Sequence, residues 1–270
     1  MARNMAGDTV LSRVARVLNA FEHDRRVLTV AQLARRAELP VPTTHRLVGQ
    51  LLDVGFLERD GKHGIKVGMR LWQIAINAPG ARELREAAMP FLEDVHAATQ
   101  QHTFLDVREG TEVLIIERLK AHNAFGRILL TPGMRVSSNA VAGSLILLAH
   151  APRDVQEAAL SAPLRKYNSR TPVKPAQLRD LWASARRNGY IVCDGYVDPD
   201  ALSIAVPVPG PDNTVVAALG VIVPSQHAQP MNHLPVLFAA ARGISRELSR
   251  TPPPGPTRML SYLVEATPEN

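Results

Sequence analysis

Thr43, His45, Arg46 and Gln50 are hydrogen-bonding side chains at helical spacing within one short segment. Their chemistry suits nucleic acid: an arginine fork matches guanine O6 and N7 or a phosphate, and a glutamine amide matches adenine N6 and N7. A second basic pair, Lys62 and His63, follows in Asp60-Gly61-Lys62-His63-Gly64, whose glycines mark a turn. Other chemistry is thinly represented. Ser144 has no Gly-x-Ser-x-Gly setting, no glycine-rich phosphate loop occurs, and no two acids fall at a spacing that suggests a general acid and base. Cys193 beside Asp194 has the parts of a nucleophile, but a lone cysteine at the end of an apolar strand is more often a small packing residue, and a neighbouring carboxylate raises its pKa. The single cysteine and nine histidines form no CxxC, HxxxH or HExxH pattern, so neither a metal site nor an internal disulfide is expected. No cofactor is implied.

Such readers need a rigid frame. From Thr9 to Phe21 the residues Val10, Leu11, Val14, Val17, Leu18 and Phe21 recur at three- and four-residue steps, which predicts a helix with one buried face. Thr29 with Gln32 has the capping-box spacing and opens a short helix over Val30 to Ala37. Glu38-Leu39-Pro40 ends it, because proline disfavours helix at the residue before it, and Pro42 suits the first turn of a third helix running to Asp53. Its inner positions are Thr44, Leu47, Val48, Leu51 and Leu52. Two helices joined by so tight a turn form a helix-turn-helix, whose second helix fits a major groove. After Gly55, Phe56 to Arg59 and Ile65 to Val67 read as two strands of a wing. The candidate DNA contacts are Thr29, Arg35, Pro42, Thr43, Thr44, His45, Arg46 and Gln50, with Lys62 and His63 at the wing tip. A structural three-helix bundle needs no such face, so duplex DNA is the favoured partner.

Charge agrees. Of the net charge of +6, residues 1–80 hold twelve basic against seven acidic side chains and the remaining 190 hold nineteen against eighteen. Basic charge gathered at one end favours a polyanion, through release of counterions condensed on phosphates. The 270 residues, 46% apolar and 21% charged, suit two globular domains. The longest apolar runs, such as Val215 to Val223, fall short of the roughly 20 residues of a membrane span. The N-terminus lacks the apolar stretch of a signal peptide. A cytoplasmic protein with no membrane partner is expected.

The stretch Leu28 to Pro40, then Thr43-Thr44-His45-Arg46-Leu47, then Leu51 to Arg59 with the wing up to Leu71, resembles the IclR family of bacterial transcription regulators. The resemblance continues through Leu84-Arg85-Glu86-Ala87-Ala88-Met89-Pro90-Phe91-Leu92, similar to that family's linker helix, and on to about Ser249. Pro42 departs from it, standing where the family usually carries a small hydroxyl or polar residue. Beyond the breaker cluster Asn77-Ala78-Pro79-Gly80 the pattern predicts a helix from Ala81 to Thr99. Strands follow at Thr103 to Val107, Glu112 to Leu119, Ile128 to Leu130, Tyr190 to Asp194, Leu202 to Pro207 and Val215 to Val223. Helices are expected at Ala140 to Ala149, Arg153 to Leu160, Pro175 to Arg187 and Leu234 to Arg250. The fold class is α+β: a winged helix-turn-helix over 1–75, a linker helix over 76–100, an effector-binding domain over 101–250 and a Pro-rich tail over 251–270. The resemblance implies that the third of these is GAF-like, with a central antiparallel sheet and a ligand pocket.

It also implies backbone contacts to a small-molecule effector at Ala142 and Gly143, with side-chain positions at Asp194 and Ser203. Leu145, Gly220 and Ile222 depart from the family by lacking a lysine and two serines. Loss of these polar groups predicts a more apolar pocket, with Met134, Ile204 and Ile222 as candidate lining and an aromatic or largely apolar effector. Asp194 would then prefer a ligand OH or NH to a bare carboxylate. Because one recognition helix covers few base pairs, self-association as a dimer is expected, with the stripe Leu84, Ala87, Ala88, Phe91 and Val95 as its candidate surface. The resemblance further implies tetramers and a transcriptional regulator, read here as a repressor. The competing classes are an enzyme and a scaffold that binds no DNA.

Overall fold

The computed structural model describes residues 9–21, 26–75, 79–121, 130–136, 138–226 and 228–250. The expected strand at Ile128 and the tail from Thr251 lie outside them. Contacts divide the chain into two units, Met1–Arg82 and Glu83–Asn270.

In the first unit, α1 (Val10–Asn19), α2 (Val30–Ala37) and α3 (Val41–Asp53) close on a core of Val17, Leu28, Leu33, Leu47, Leu51, Leu57 and Ile65. The Thr29 capping box is formed in both directions, so two otherwise orphaned amides at the start of α2 are satisfied, a feature worth about 1 kcal/mol. Helix α2 ends where Glu38 turns into the left-handed region at φ 53°, uncommon for a residue with a side chain. Strands β1 (Leu57–Asp60) and β2 (Gly64–Val67) form the wing, and Leu28 and Ile65 exchange backbone hydrogen bonds of 2.9 and 2.8 Å that tie it to the chain entering α2. A short helix, α4 (Met69–Ala75), follows and was not apparent in the sequence.

The helix α5 (Pro79–Thr99) begins within the expected breaker cluster, with Pro79 as its first residue, where the missing amide hydrogen costs nothing. The second unit is a six-stranded antiparallel sheet in the order β5-β4-β3-β8-β7-β6, made from β3 (His102–Glu109), β4 (Glu112–Leu119), β5 (Arg135–Val136), β6 (Ile191–Asp194), β7 (Ala201–Pro209) and β8 (Val215–Pro224). One face carries α6 (Ala142–Ala149), α7 (Arg153–Ser161) and α8 (Pro175–Asn188); the other carries α5 and α9 (Leu234–Arg250). Every residue of α6 is buried, as a helix that is apolar all round must be. Leu84, Ala88, Leu92 and Val95 of α5 are buried beneath α9 and the sheet, so the stripe expected at a dimer surface is largely spent within its own unit. The Phe91 ring fills the space left by Gly243. No helix among the described residues is long and apolar enough to cross a membrane.

Strict alternation fails once. In β4, Ile115 faces Asp106 and Glu117 faces Leu105, leaving Ile116 as the extra residue of a β-bulge. Without it, the period of two that brings Val113 and Ile115 to the α6 face would bring Glu117 there next. Instead Glu117 turns to the α5 side and Arg118 takes the α6 face, opposite Phe104.

Candidate functional site

Helix α3 leaves Pro42, His45, Arg46 and Gln50 exposed and Thr43 half-buried. The Arg46 guanidinium lies 3.5 Å from Gln50 Oε1, so the two longest readers stand side by side. Arg35 on α2 and Lys62 and His63 at the wing tip are also exposed, as is Arg59 on β1, a cation outside the expected set. Two expected contacts are otherwise engaged. Thr44 is fully buried and its hydroxyl donates to the Pro40 carbonyl at 3.1 Å, in keeping with its inward helical phase and not with a DNA contact. Thr29 is occupied by its capping box: its hydroxyl accepts from Gln32 N–H at 3.3 Å while its own N–H donates to Gln32 Oε1 at 2.8 Å. Proline at 40 and 42 also removes two amide hydrogens from the start of α3, where a phosphate would otherwise find them.

The second unit contains a small cavity of about 40 Å³ between the sheet and the start of α6. Phe104, Ile115, Leu130, Val136, Val141 and Ile222 supply apolar walls, while Asp106, Arg118 and Ser203 supply polar groups. Phe104 and Asp106 are two apart on β3, Ser203 and Ile222 are cross-strand partners on β7 and β8, and Val141 is the N-cap residue of α6. Asp106 and Arg118 are only 4% and 7% exposed. Arg118 donates through Nη1 to the Leu130 carbonyl at 3.2 Å, but Asp106 Oδ1 and Arg118 Nη2 are buried with no hydrogen-bond partner among the described residues. Burial pushes the Asp106 carboxyl up to about 8 against the opposing pull of Arg118. The same burial lowers Arg118 to about 10. On the same strand face, His102 is pushed down to about 4, chiefly by burial and then by Arg118; its Nδ1 accepts from the Ala121 amide, so the ring is neutral with its hydrogen on Nε2.

Glycines shape this space. A Cβ on Gly143 would lie 2.0 Å from Asp106 Oδ2, so only glycine lets the carboxyl rest on the first turn of α6. Gly220 does the same for the Phe104 ring, which crosses it from the paired position on β3.

Of the residues expected around an effector, Ser203 and Ile222 line the cavity, and Ala142 and Gly143 form the buried first turn of α6 above it. Gly220 lies beneath the Phe104 ring. Ile204 points to the opposite face of the sheet, into the core shared with α9. Met134 is 40% exposed and Asp194 is exposed at the end of β6, accepting from the Ser225 hydroxyl and 3.8 Å from the Arg170 guanidinium; neither belongs to the walls. The sequence reading missed Asp106 and Arg118. The signal available was a charge in phase with buried apolar neighbours, but the bulge hides that phase for Arg118. Cys193 is buried and its thiol is pushed well up by burial, which leaves no nucleophile there.

A winged helix-turn-helix head followed in the same chain by an α+β unit with a small cavity that holds buried polar groups defines a DNA-binding regulator that answers to an effector. Residues 10–61 match the model of the IclR helix-turn-helix domain, and residues 78–250 match that of the bacterial transcriptional regulator IclR C-terminal domain. The chain belongs to the IclR family, and is a transcriptional regulator rather than an enzyme. A crystallised IclR homolog from Microbacterium hydrocarbonoxydans, complexed with 4-hydroxybenzoate, is 39% identical, with a TM-score of 0.82 over 90% of this chain and 100% of that one. The Pca regulon regulatory protein of Pseudomonas putida is 26% identical over 89% of this chain and 84% of its own length. The regulator KipR of Bacillus subtilis is 25% identical over 90% of this chain and 96% of its own.

Proposed function

We propose that this regulator is a cytoplasmic repressor whose effector is a small aromatic or otherwise largely apolar molecule, bound in the cavity between α6 and the sheet. The observation that carries the reading is the wall of Phe104, Ile115, Leu130, Val136, Val141 and Ile222. The 4-hydroxybenzoate complex of the 39% identical homolog supports it. The cavity is tight, so a ring enters by parting side chains of the wall, a common adjustment on binding. On this reading Arg46, His45 and Gln50 read the operator, with Arg35, Lys62 and His63 on flanking phosphates. Leu11, Met69, Trp72 and Ile74, exposed apolar residues of the first unit, are the surface for pairing two heads, and tetramers form through the second unit.

An effector shifts DNA binding only by its different affinity for the free and DNA-bound states, so affinity for the protein alone is not the test. Genomic fragments retained by the purified full-length protein supply the operator. At fixed salt, 4-hydroxybenzoate is expected to release such a fragment, whereas pyruvate and glyoxylate leave it bound. Release by the small 2-oxo acids and not by the aromatic acid would overturn the reading.

A further inference from the structure

Asp106 and Arg118 bring an acid and a base to one buried space, each with an atom that has no hydrogen-bond partner among the described residues. They lie on adjacent strands and on one face of the sheet, Arg118 opposite Phe104 and Asp106 two residues along from Phe104. A buried unpartnered donor or acceptor has lost its water without compensation, and a ligand offering the complementary atom recovers that loss. The orphaned donor is a guanidinium nitrogen, the group best suited to a carboxylate.

Charge balance then fixes the role of the acid. With Asp106 ionised, Arg118 already has its countercharge, and an entering carboxylate would leave the buried groups with an unbalanced negative charge. With Asp106 protonated, the guanidinium is free to take the ligand, and the acid O–H becomes a donor. Among the described residues that line the cavity, Arg118 is the only other charged group. Ser203 from β7 and the first turn of α6 add only neutral groups. His102, further along the same face of β3, is held neutral by burial. Arg135 of β5 is turned outward to Glu109 and Glu112.

We propose that the effector is a monoanion whose carboxylate is held by Arg118, and that Asp106 takes part as the neutral acid, so that binding retains or takes up one proton at its carboxyl. This rests on the cavity being the effector site. It moves the polar recognition from Asp194, where the family resemblance put it, to β3 and β4. The burial that raises Asp106 to about 8 makes the protonated form the major one at neutral pH.

The test is calorimetry on the full-length protein with benzoate, neutral benzamide and 4-hydroxybenzoate, from pH 6.5 to 9.5, in buffers of different ionisation enthalpy. Neither benzoate nor benzamide titrates in that range. Benzoate affinity is expected to be level below about pH 8 and then to fall by up to tenfold per pH unit, with uptake approaching one proton per ligand, whereas benzamide stays level. Asp106→Asn should bind benzoate at pH 9 as it does at pH 6.5, with no proton uptake. Arg118→Gln should lose at least tenfold for benzoate and little for benzamide. Benzoate binding that is level with pH and takes up no proton, or failure of both benzoates to bind at pH 6.5, would overturn the proposal. Ile222→Trp fills the cavity and should abolish binding of all three; undiminished binding there would instead remove the cavity from the effector's path. Thermal melts of each variant confirm that it is folded.

Discussion

Gly220→Ala adds a single methyl group at a crowded point of the sheet. The new Cβ would stand 2.2 Å from the Ile204 carbonyl oxygen, 2.3 Å from Phe104 Cζ and 2.8 Å from Phe104 Cε1. The carbonyl belongs to β7, paired with β8 along its whole length, so it cannot withdraw without loosening that ladder. The ring can move, but only into the cavity it lines. Overpacking of this kind costs about 1–3 kcal/mol, while relief of the glycine's entropic penalty returns roughly 0.5–1 kcal/mol. For a unit of this size each kcal/mol lowers the midpoint by about 2–4 °C, so a net fall of a few degrees is expected. Scanning calorimetry on the wild type, Gly220→Ala, Phe104→Leu and the double variant is the assay, with the transition of the second unit followed separately from that of the head. If the ring is the obstacle, the double variant loses less than the sum of the singles, by about 1 kcal/mol or more. A midpoint for Gly220→Ala at or above the wild type, or strict additivity, would refute the reasoning.

Arg46→Ala should weaken binding to a retained duplex and, where Arg46 meets a phosphate, flatten the slope of log affinity against log salt by about one, as measured by anisotropy at several salt concentrations. Thr29→Ala should destabilise the head by about 1 kcal/mol in urea titrations through loss of the capping box, and Thr44→Val, which loses only the bond to Pro40, should leave duplex affinity unchanged once the head is folded. Asp106 titrates at about 8 when folded against 3.8 ordinarily, so between those values the native state holds more protons than the unfolded one. Wild-type stability should therefore fall relative to Asp106→Asn as pH rises from about 4 to about 8 and run parallel to it above, read from urea midpoints at pH 5, 7 and 9.

Where local chemistry decides a feature, the sequence is explicit. Thr29 and Gln32 mark the start of α2, Gly189 at φ 74° stops α8 one residue beyond the expected end, and the apolar runs of β7 and β8 name the centre of the sheet. The readers on α3 were legible because a helix period separates faces cleanly. Helix α4 was not, since no residue in it is buried and no stripe marks it; nor was β5, only two residues long. The cavity was the least visible part. Asp106 sits among mixed polar and apolar residues of β3 and Arg118 in the mostly apolar β4, and a charge in either strand is conventionally read as pointing to solvent. Their burial depends on α6, more than twenty residues further along the chain, and on a change of phase that pairing with β3 imposes. Asp194, placed by resemblance, has a partner on β8 that no spacing along the chain reveals.

The bulge in β4 also fixes how the strand can change in length. Because β4 carries one residue more than β3 requires, deletion of Ile116 would restore plain alternation and still leave Glu117 beside Arg85, to which it is bonded at 2.6 Å, and Arg118 over the cavity. Deleting a residue on the Val113 side of the bulge would instead slide the segment before it to the opposite face. An unbulged strand with the same sequence would place the acid inside and the base outside, and the cavity would then attract cations. A one-residue difference in local length, with no change in composition, thus separates two opposite ligand charges on the same scaffold.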